Sequence, residues 1–381
     1  MTAVFHPLRE RLNLAPGALP WASLGQWPTP ITQLVLEGQP VWLKREDLAH
    51  PTYGGNKVRT LEVLLGDAVA RGVTTVWAAG AYGSNHAVAT LVHAPRVGLT
   101  AGALLFPQPA SPPAVDNLRS ALSLGARVLP VANVAMLPLA MLTTWRRERS
   151  AGGAPWMMPP GGASPLGTLG ALSAVFELAE QLAHHAAPPP ATLVVAVGST
   201  CTTAGLLAGL ALAHELGAWP WPLPTVHAVR VTPWPITSSY RISALARRAL
   251  ELLERLRRPS SRRAARSISR AQLAAHLVVD GAQLGGGYGR PTAAGQEAAA
   301  AFASAGGPPL DCVYAAKSGA ALLGLLRAGH SATAGPLLYW STKSFAPPPV
   351  AATRPPTKTA TKTATQTAPA APFARWLASA G

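Results

Sequence analysis

Seven short, unbroken apolar runs separated by alanine- and leucine-rich stretches limit what this chain can fold into. The runs are PVWLK (40–44), TTVWAA (74–79), AGALLF (101–106), ARVLPV (126–131), TLVVAV (192–197), VHAVRV (226–231) and PLLYW (336–340). Most do not alternate apolar with polar residues. A strand that buries both faces under helices has this pattern, and such strands are parallel. The stretches between them, 57–71, 85–94, 113–124, 167–185, 203–216, 242–257 and 293–304, are long enough for crossover helices. Alternating β and α elements predict an open, mostly parallel α/β sheet, with ligands at the carboxyl ends of its strands. At 381 residues the chain can form one large domain or two smaller ones, and 49% hydrophobic against 13% charged residues supplies a substantial core.

The net charge of +16 raises nucleic acid as a partner, but its distribution points away from that as a main function. Residues 240–270 carry a net +8 and the stretch after Phe345 a net +4, so the remainder holds only about +4. No aromatic residues interleave the arginines as a single-strand binder requires. The segment 257–270 reads as an exposed helix end and loop. Residues 346–372, rich in proline, threonine and alanine, read as disordered, and FARWLASA (373–380) is free to dock or not. No apolar run is long enough for a membrane span, and the first residues lack the pattern of a signal peptide, so the expectation is a cytoplasmic protein. Cys201 and Cys312 cannot build a disulfide framework or a metal site, and both read as small buried hydrophobes.

Three glycine-containing turns lie at strand-to-helix junctions. In VGSTCTTAG (197–205), Gly198 permits a tight turn, and Ser199, Thr200, Cys201, Thr202 and Thr203 open a helix whose free N–H groups and hydroxyls suit a phosphate. A simply capped helix has the same look. In GAYGSNHA (80–87), Ser84 and Asn85 fall at another helix start, which suits a carboxylate or a cofactor oxygen; Ser84 also reads as a plain N-cap. In YGGNKVRTLE (53–62), a lysine follows Gly54, Gly55 and Asn56. Lys57 gains meaning beside the other two turns. A phosphate cradle, a carboxylate site and an amine that can form a Schiff base together suit pyridoxal 5′-phosphate.

LKREDLAHPTYGGNKVRTLE, GAYGSNHA, PPGGASPLGTLG (159–170), VGSTCTTAGLLAGL and GGGYGRPT (285–292) resemble the D-cysteine desulfhydrase and 1-aminocyclopropane-1-carboxylate (ACC) deaminase family, fold type II pyridoxal-phosphate enzymes similar to the tryptophan synthase β subunit. The resemblance runs from about residue 20 to about residue 345. It implies two α/β domains: a small one at 53–163 inserted into a large one formed by 1–52 and 164–345, with 346–381 as a tail. It implies that Lys57 carries the cofactor and moves the substrate's Cα proton, and that Asn85 meets the pyridoxal ring oxygen. The stretch Gly198 to Thr203 then binds the phosphate. Ser84 faces the substrate carboxylate region, where the matching serine of ACC deaminases is a catalytic candidate. Tyr288 and Tyr314 match family tyrosines proposed as acid–base groups. The implied activity is β-elimination from a small amino acid, of the D-cysteine desulfhydrase kind, by a homodimer without a metal. ACC deamination and a catalytically degenerate relative are the alternatives.

Two residues depart from the family pattern. Cys201 stands where the phosphate loop normally has glycine, and its cost depends on whether that position takes a positive φ. Ala315 stands where glutamate or threonine normally meets the pyridine nitrogen, leaving Ser341 or Thr342 as possible partners and arguing against a typical ACC deaminase.

Overall fold

The computed structural model describes residues 17–124, 127–257, 268–350 and 370–380, with positions 8, 12, 14 and 15 before them. The arginine-rich expectation at 258–267 and most of the tail, 351–369, lie outside the described residues.

Among the described residues, ten strands form two sheets. In chain order they are β1 (Ile31–Leu36), β2 (Gln39–Lys44), β3 (Thr75–Ala81), β4 (Thr100–Phe106), β5 (Arg127–Pro130), β6 (Pro155–Met157), β7 (Thr192–Val197), β8 (Thr225–Arg230), β9 (Leu277–Asp280) and β10 (Leu337–Trp340). The larger sheet has the order β1-β2-β10-β7-β8-β9 and the smaller β5-β4-β3-β6. Among these ten strands only the β1–β2 pair is antiparallel and the other pairings are parallel. All seven predicted strands are present. β3 and β7 are buried at every position, which accounts for their unbroken apolar sequences. The chain is thus an α/β protein with mostly parallel sheets.

The strands not foreseen are the poorly patterned ones. β1 is an edge strand whose Val35 is exposed, β6 has three residues, and β9 follows the arginine-rich stretch. Helices Leu137–Ser150 and Ala315–Arg327 were also not anticipated.

A buried charge cluster fixes the helix that begins at Lys57 (Lys57–Ala70). Arg59 Nε donates to Glu46 Oε2 at 2.7 Å, and Arg59 Nη2 donates to Glu177 Oε1 at 2.8 Å. Lys44 Nζ, at the end of β2, also donates to Glu177 Oε1 and to the Thr29 carbonyl. Glu177 projects from helix Pro165–Ala183. Burial alone raises its pKa, but Arg59 and Lys44 outweigh burial and leave it below the ordinary carboxylate range.

The carboxyl-terminal helix Ala371–Ser379 docks against the smaller sheet's core. Phe373 is fully buried, and Phe373 and Trp376 meet the Tyr82 ring edge-on at 5.1 and 5.3 Å. Trp376 Nε1 donates to the Gln108 carbonyl at 2.8 Å. Aromatic contact with Tyr82 is what holds FARWLASA in place.

Candidate active site

The turn before Lys57 is pressed onto the chain just after β10. Asn56 N–H donates to the Thr342 carbonyl at 3.1 Å, and Gly55 has φ +87. A Cβ on Gly55 would lie 2.7 Å from that same carbonyl oxygen, so only glycine fits. Asn56 Nδ2 then donates to Thr202 Oγ1 at 2.7 Å, which ties the start of the lysine helix to the third glycine turn.

Lys57 Nζ donates to the Gly161 carbonyl at 3.1 Å and to Ser199 Oγ at 3.4 Å. Both partners are neutral, and burial lowers the amine's pKa below the ordinary lysine value. Such an amine is more readily deprotonated, which nucleophilic attack on a carbonyl requires.

The third turn runs from Gly198 into helix Cys201–Glu215. Thr200, its N-cap, has φ +71, whereas Cys201 is absent from the positive-φ residues and is helical. The backbone cost anticipated at Cys201 therefore falls on Thr200, at roughly 1–2 kcal/mol for a non-glycine left-handed residue. Cys201 is fully buried, and its Sγ lies 3.4 Å from the Gly162 carbonyl. The N–H groups of Ser199, Thr200, Cys201 and Thr202 have no hydrogen-bond acceptor among the described residues. Thr203 Oγ1 is buried without a partner.

The second turn places Ser84 as the N-cap of helix Asn85–His93, accepting from Ala87 N–H at 3.2 Å. Asn85 Oδ1 accepts from Tyr53 OH at 3.0 Å and from Asn117 Nδ2 at 2.8 Å. Tyr288 OH and Tyr314 OH lie 2.8 Å apart. Burial raises the pKa of both phenols; the mutual hydrogen bond adds to the rise at Tyr314 and offsets part of it at Tyr288, so each stays protonated to a higher pH than usual. Lys317 Nζ donates to the Leu284 and Gly287 carbonyls at 2.7 and 3.0 Å, holding the loop that carries Tyr288. Ala315 opens the next helix with its buried methyl group. Thr342 contributes its carbonyl to Asn56 as above.

A sequence model of the family described as "Pyridoxal-phosphate dependent enzyme" matches residues 22–339. The chain belongs to this family. D-cysteine desulfhydrase of Salmonella paratyphi C is 32% identical to the pyridoxal-phosphate enzyme described here over 324 residues, covering 83% of this chain and 91% of that protein. Nocardicin C-9′ epimerase of Nocardia uniformis subsp. tsuyamanensis is 38% identical over 204 residues, 51% of this chain and 61% of that one, so the match spans less than two thirds of the epimerase. The crystal structure of an ACC deaminase homologue superposes with a TM-score of 0.70 at 27% identity, covering 91% of this chain and 96% of that one. An L-serine ammonia-lyase from Rhizomucor miehei, 18% identical with a TM-score of 0.52 over 83% of this chain and 93% of that one, shares the fold alone.

The cofactor of this pyridoxal-phosphate enzyme is pyridoxal 5′-phosphate, and the residues present fit it. The unpaired N–H groups from Ser199 to Thr202 and the orphaned Thr203 hydroxyl match the needs of a phosphate. A Cβ on Gly198 would lie 2.8 Å from the Tyr314 ring, so the glycine keeps the loop against the tyrosine pair. Lys57 Nζ lies beside Ser199, at the same loop.

Two residues near the site escaped sequence reasoning. Lys343 Nζ reaches Asn85 Oδ1 at 2.8 Å and Tyr53 OH at 3.3 Å. His86 is buried, and both its ring nitrogens are unpartnered among the described residues. Burial, and then the Lys57 charge, push the His86 pKa down to about 3. The unfolded chain binds a proton on this histidine near pH 6.5 and the folded chain does not. Stability therefore falls as pH drops from about 6.5 toward 3, by about 1.4 kcal/mol per pH unit from this group. Urea unfolding of His86→Leu from pH 7 to 4 should show a correspondingly shallower decline. A decline parallel to the parent's would mean that His86 titrates normally.

Proposed function

We propose that the chain is a pyridoxal-phosphate-dependent lyase acting on a small amino acid by β-elimination of the D-cysteine desulfhydrase kind, giving pyruvate, ammonia and sulfide. The observation that carries this reading is the juxtaposed pair Tyr288–Tyr314, two protonated phenols beside the loop that holds Lys57. Similarity to D-cysteine desulfhydrase over 91% of that protein supports it.

When bound, pyridoxal phosphate supplies an electron sink for negative charge at the substrate's Cα. The N–H groups from Ser199 to Thr202 and the Thr203 hydroxyl hold its phosphate. The Lys57 amine accepts the Cα proton, its lowered pKa favouring the free base. The thiolate leaves Cβ with its bonding electron pair and takes a proton from the Tyr288–Tyr314 pair. Water hydrolyses the released enamine to pyruvate and ammonia. Asn85 contacts the ring oxygen, and Ser84 faces the carboxylate region. The methyl group of Ala315 offers no carboxylate at the position where ACC deaminases carry one, which weighs against ring opening of ACC.

The same reading divides the chain near residues 53 and 163. The smaller sheet draws its strands from 75–157 and the larger from 31–44 and 192–340, which supports that division. A homodimer accompanies the reading on family resemblance, and a cytoplasmic location accompanies it as the expectation drawn from the sequence. Among the described residues no helix is long and apolar enough to cross a membrane, and no group of three or more histidine, cysteine or acidic residues could hold a metal ion.

The deciding measurement is the absorbance of purified protein loaded with pyridoxal phosphate, before and after D-cysteine is added. A cofactor band that changes while sulfide and pyruvate appear is the expected result. An unchanged band with no sulfide overturns the assignment to D-cysteine.

A further inference from the structure

We infer that Lys343 holds the α-carboxylate of the amino-acid substrate. This rests on the family's cofactor and on an amino acid as substrate, and is independent of which bond the enzyme breaks.

Lys343 follows β10 and reaches across to the second glycine turn, where its ammonium meets only neutral groups. It donates to Asn85 Oδ1 at 2.8 Å and to Tyr53 OH at 3.3 Å, and lies 5.3 Å from the centre of the Tyr53 ring. No aspartate or glutamate pairs with it among the described residues. The acceptors it has are already in use. An amide oxygen offers two lone pairs, and Asn85 Oδ1 also receives Tyr53 OH and Asn117 Nδ2. Three donors therefore compete for one oxygen, and an ammonium with three N–H bonds is left short of partners.

The fully buried lysines Lys44 and Lys317 differ from half-buried Lys343. Lys44 is matched by the Glu177 carboxylate and the Thr29 carbonyl, and Lys317 by two backbone carbonyls. Lys343 also stands at the amino end of helix Asn85–His93, whose dipole presents partial positive charge there. A cation beside a positive helix end, without a counter-ion of its own, is stabilised by an incoming anion. The location selects which anion. Asn85 directly follows Ser84, the residue read as facing the substrate carboxylate region, so the contact with Asn85 places Lys343 at that region. An amino acid bound there carries one anionic group, its α-carboxylate.

The test uses the loaded holoenzyme and a ligand without a β-leaving group. D-Alanine, L-alanine and their methyl esters are titrated while the absorbance of the bound cofactor is followed. A charge-assisted hydrogen bond is worth about 1.5–3 kcal/mol, so Lys343→Met should weaken binding of the preferred alanine roughly 10- to 100-fold. Lys343→Arg should restore most of that affinity. The methyl ester, which lacks the charge, should bind the parent and Lys343→Met within about threefold of each other. Unchanged alanine affinity in Lys343→Met overturns the inference. So does an equal loss for acid and ester, which marks a structural role, and so does the absence of any response to either alanine enantiomer in the parent. Sulfide release from D-cysteine is measured separately. If it fails while the acid–ester difference persists, the lyase reading falls and the role of Lys343 stands.

Discussion

Lys57→Ala protein should lose lyase turnover by about 10⁴-fold or more, because one substitution removes both the amine that carries the cofactor and the base at Cα. The borohydride-reducible link between protein and cofactor should disappear with it. The fold should survive. Among the described residues Lys57 donates only to the Gly161 carbonyl and Ser199 Oγ, with no carboxylate partner, and its ammonium is penalised by burial. At neutral pH a group whose pKa is lowered by folding costs stability, since the unfolded chain holds the proton more tightly. The cofactor-free variant should therefore unfold at a temperature equal to or above that of the cofactor-free parent. Two measurements decide the matter: mass spectrometry after borohydride reduction, and calorimetry without cofactor. Retention of the reduced adduct at another lysine would move the Schiff-base role away from Lys57.

The second large effect concerns stability. Glu177→Gln keeps the shape of the side chain and removes the charge that Lys44 and Arg59 share. Breaking a buried ion pair from one side leaves uncompensated charge and costs about 3–5 kcal/mol. Glu46 remains on Arg59 and tempers the loss there, whereas Lys44 keeps only neutral partners, the Thr29 carbonyl and the Gln181 side chain. Equilibrium urea unfolding should show the loss, and because Arg59 lies two residues from Lys57, cofactor affinity should fall in the same variant. A change below about 1 kcal/mol would mean that water or local rearrangement supports Lys44 and Arg59 without Glu177.

The sequence made the central strands legible because burial on both faces writes itself as an uninterrupted apolar run, as in β3 and β7. β1 was not legible: as an edge strand it buries little, and Val35 faces solvent. At the site, glycine beside lysine and hydroxyl residues beside a strand end carried a local signal, so Lys57 and the Ser199–Thr202 loop could be found without a structure. Thr200 shows the limit of that signal. The residue that departs from the family pattern is Cys201, but the left-handed backbone belongs to its neighbour. Lys343 carried no signal, because a lysine after an apolar strand reads as an ordinary solvated cation. What gives it meaning is Asn85, 258 positions away in sequence and brought near only by the packing of the two sheets.

The strand order of the larger sheet also bears on synthesis. β10 lies between β2 and β7, pairing Leu338 with Trp42 and Leu337 with Thr192. A ribosome that has released the first two hundred residues has made both neighbours of a gap and nothing to fill it. The carbonyl of Thr342, against which the turn before Lys57 is seated, arrives with the same late stretch. The seat of the lysine turn is therefore complete only once residue 342 has been made.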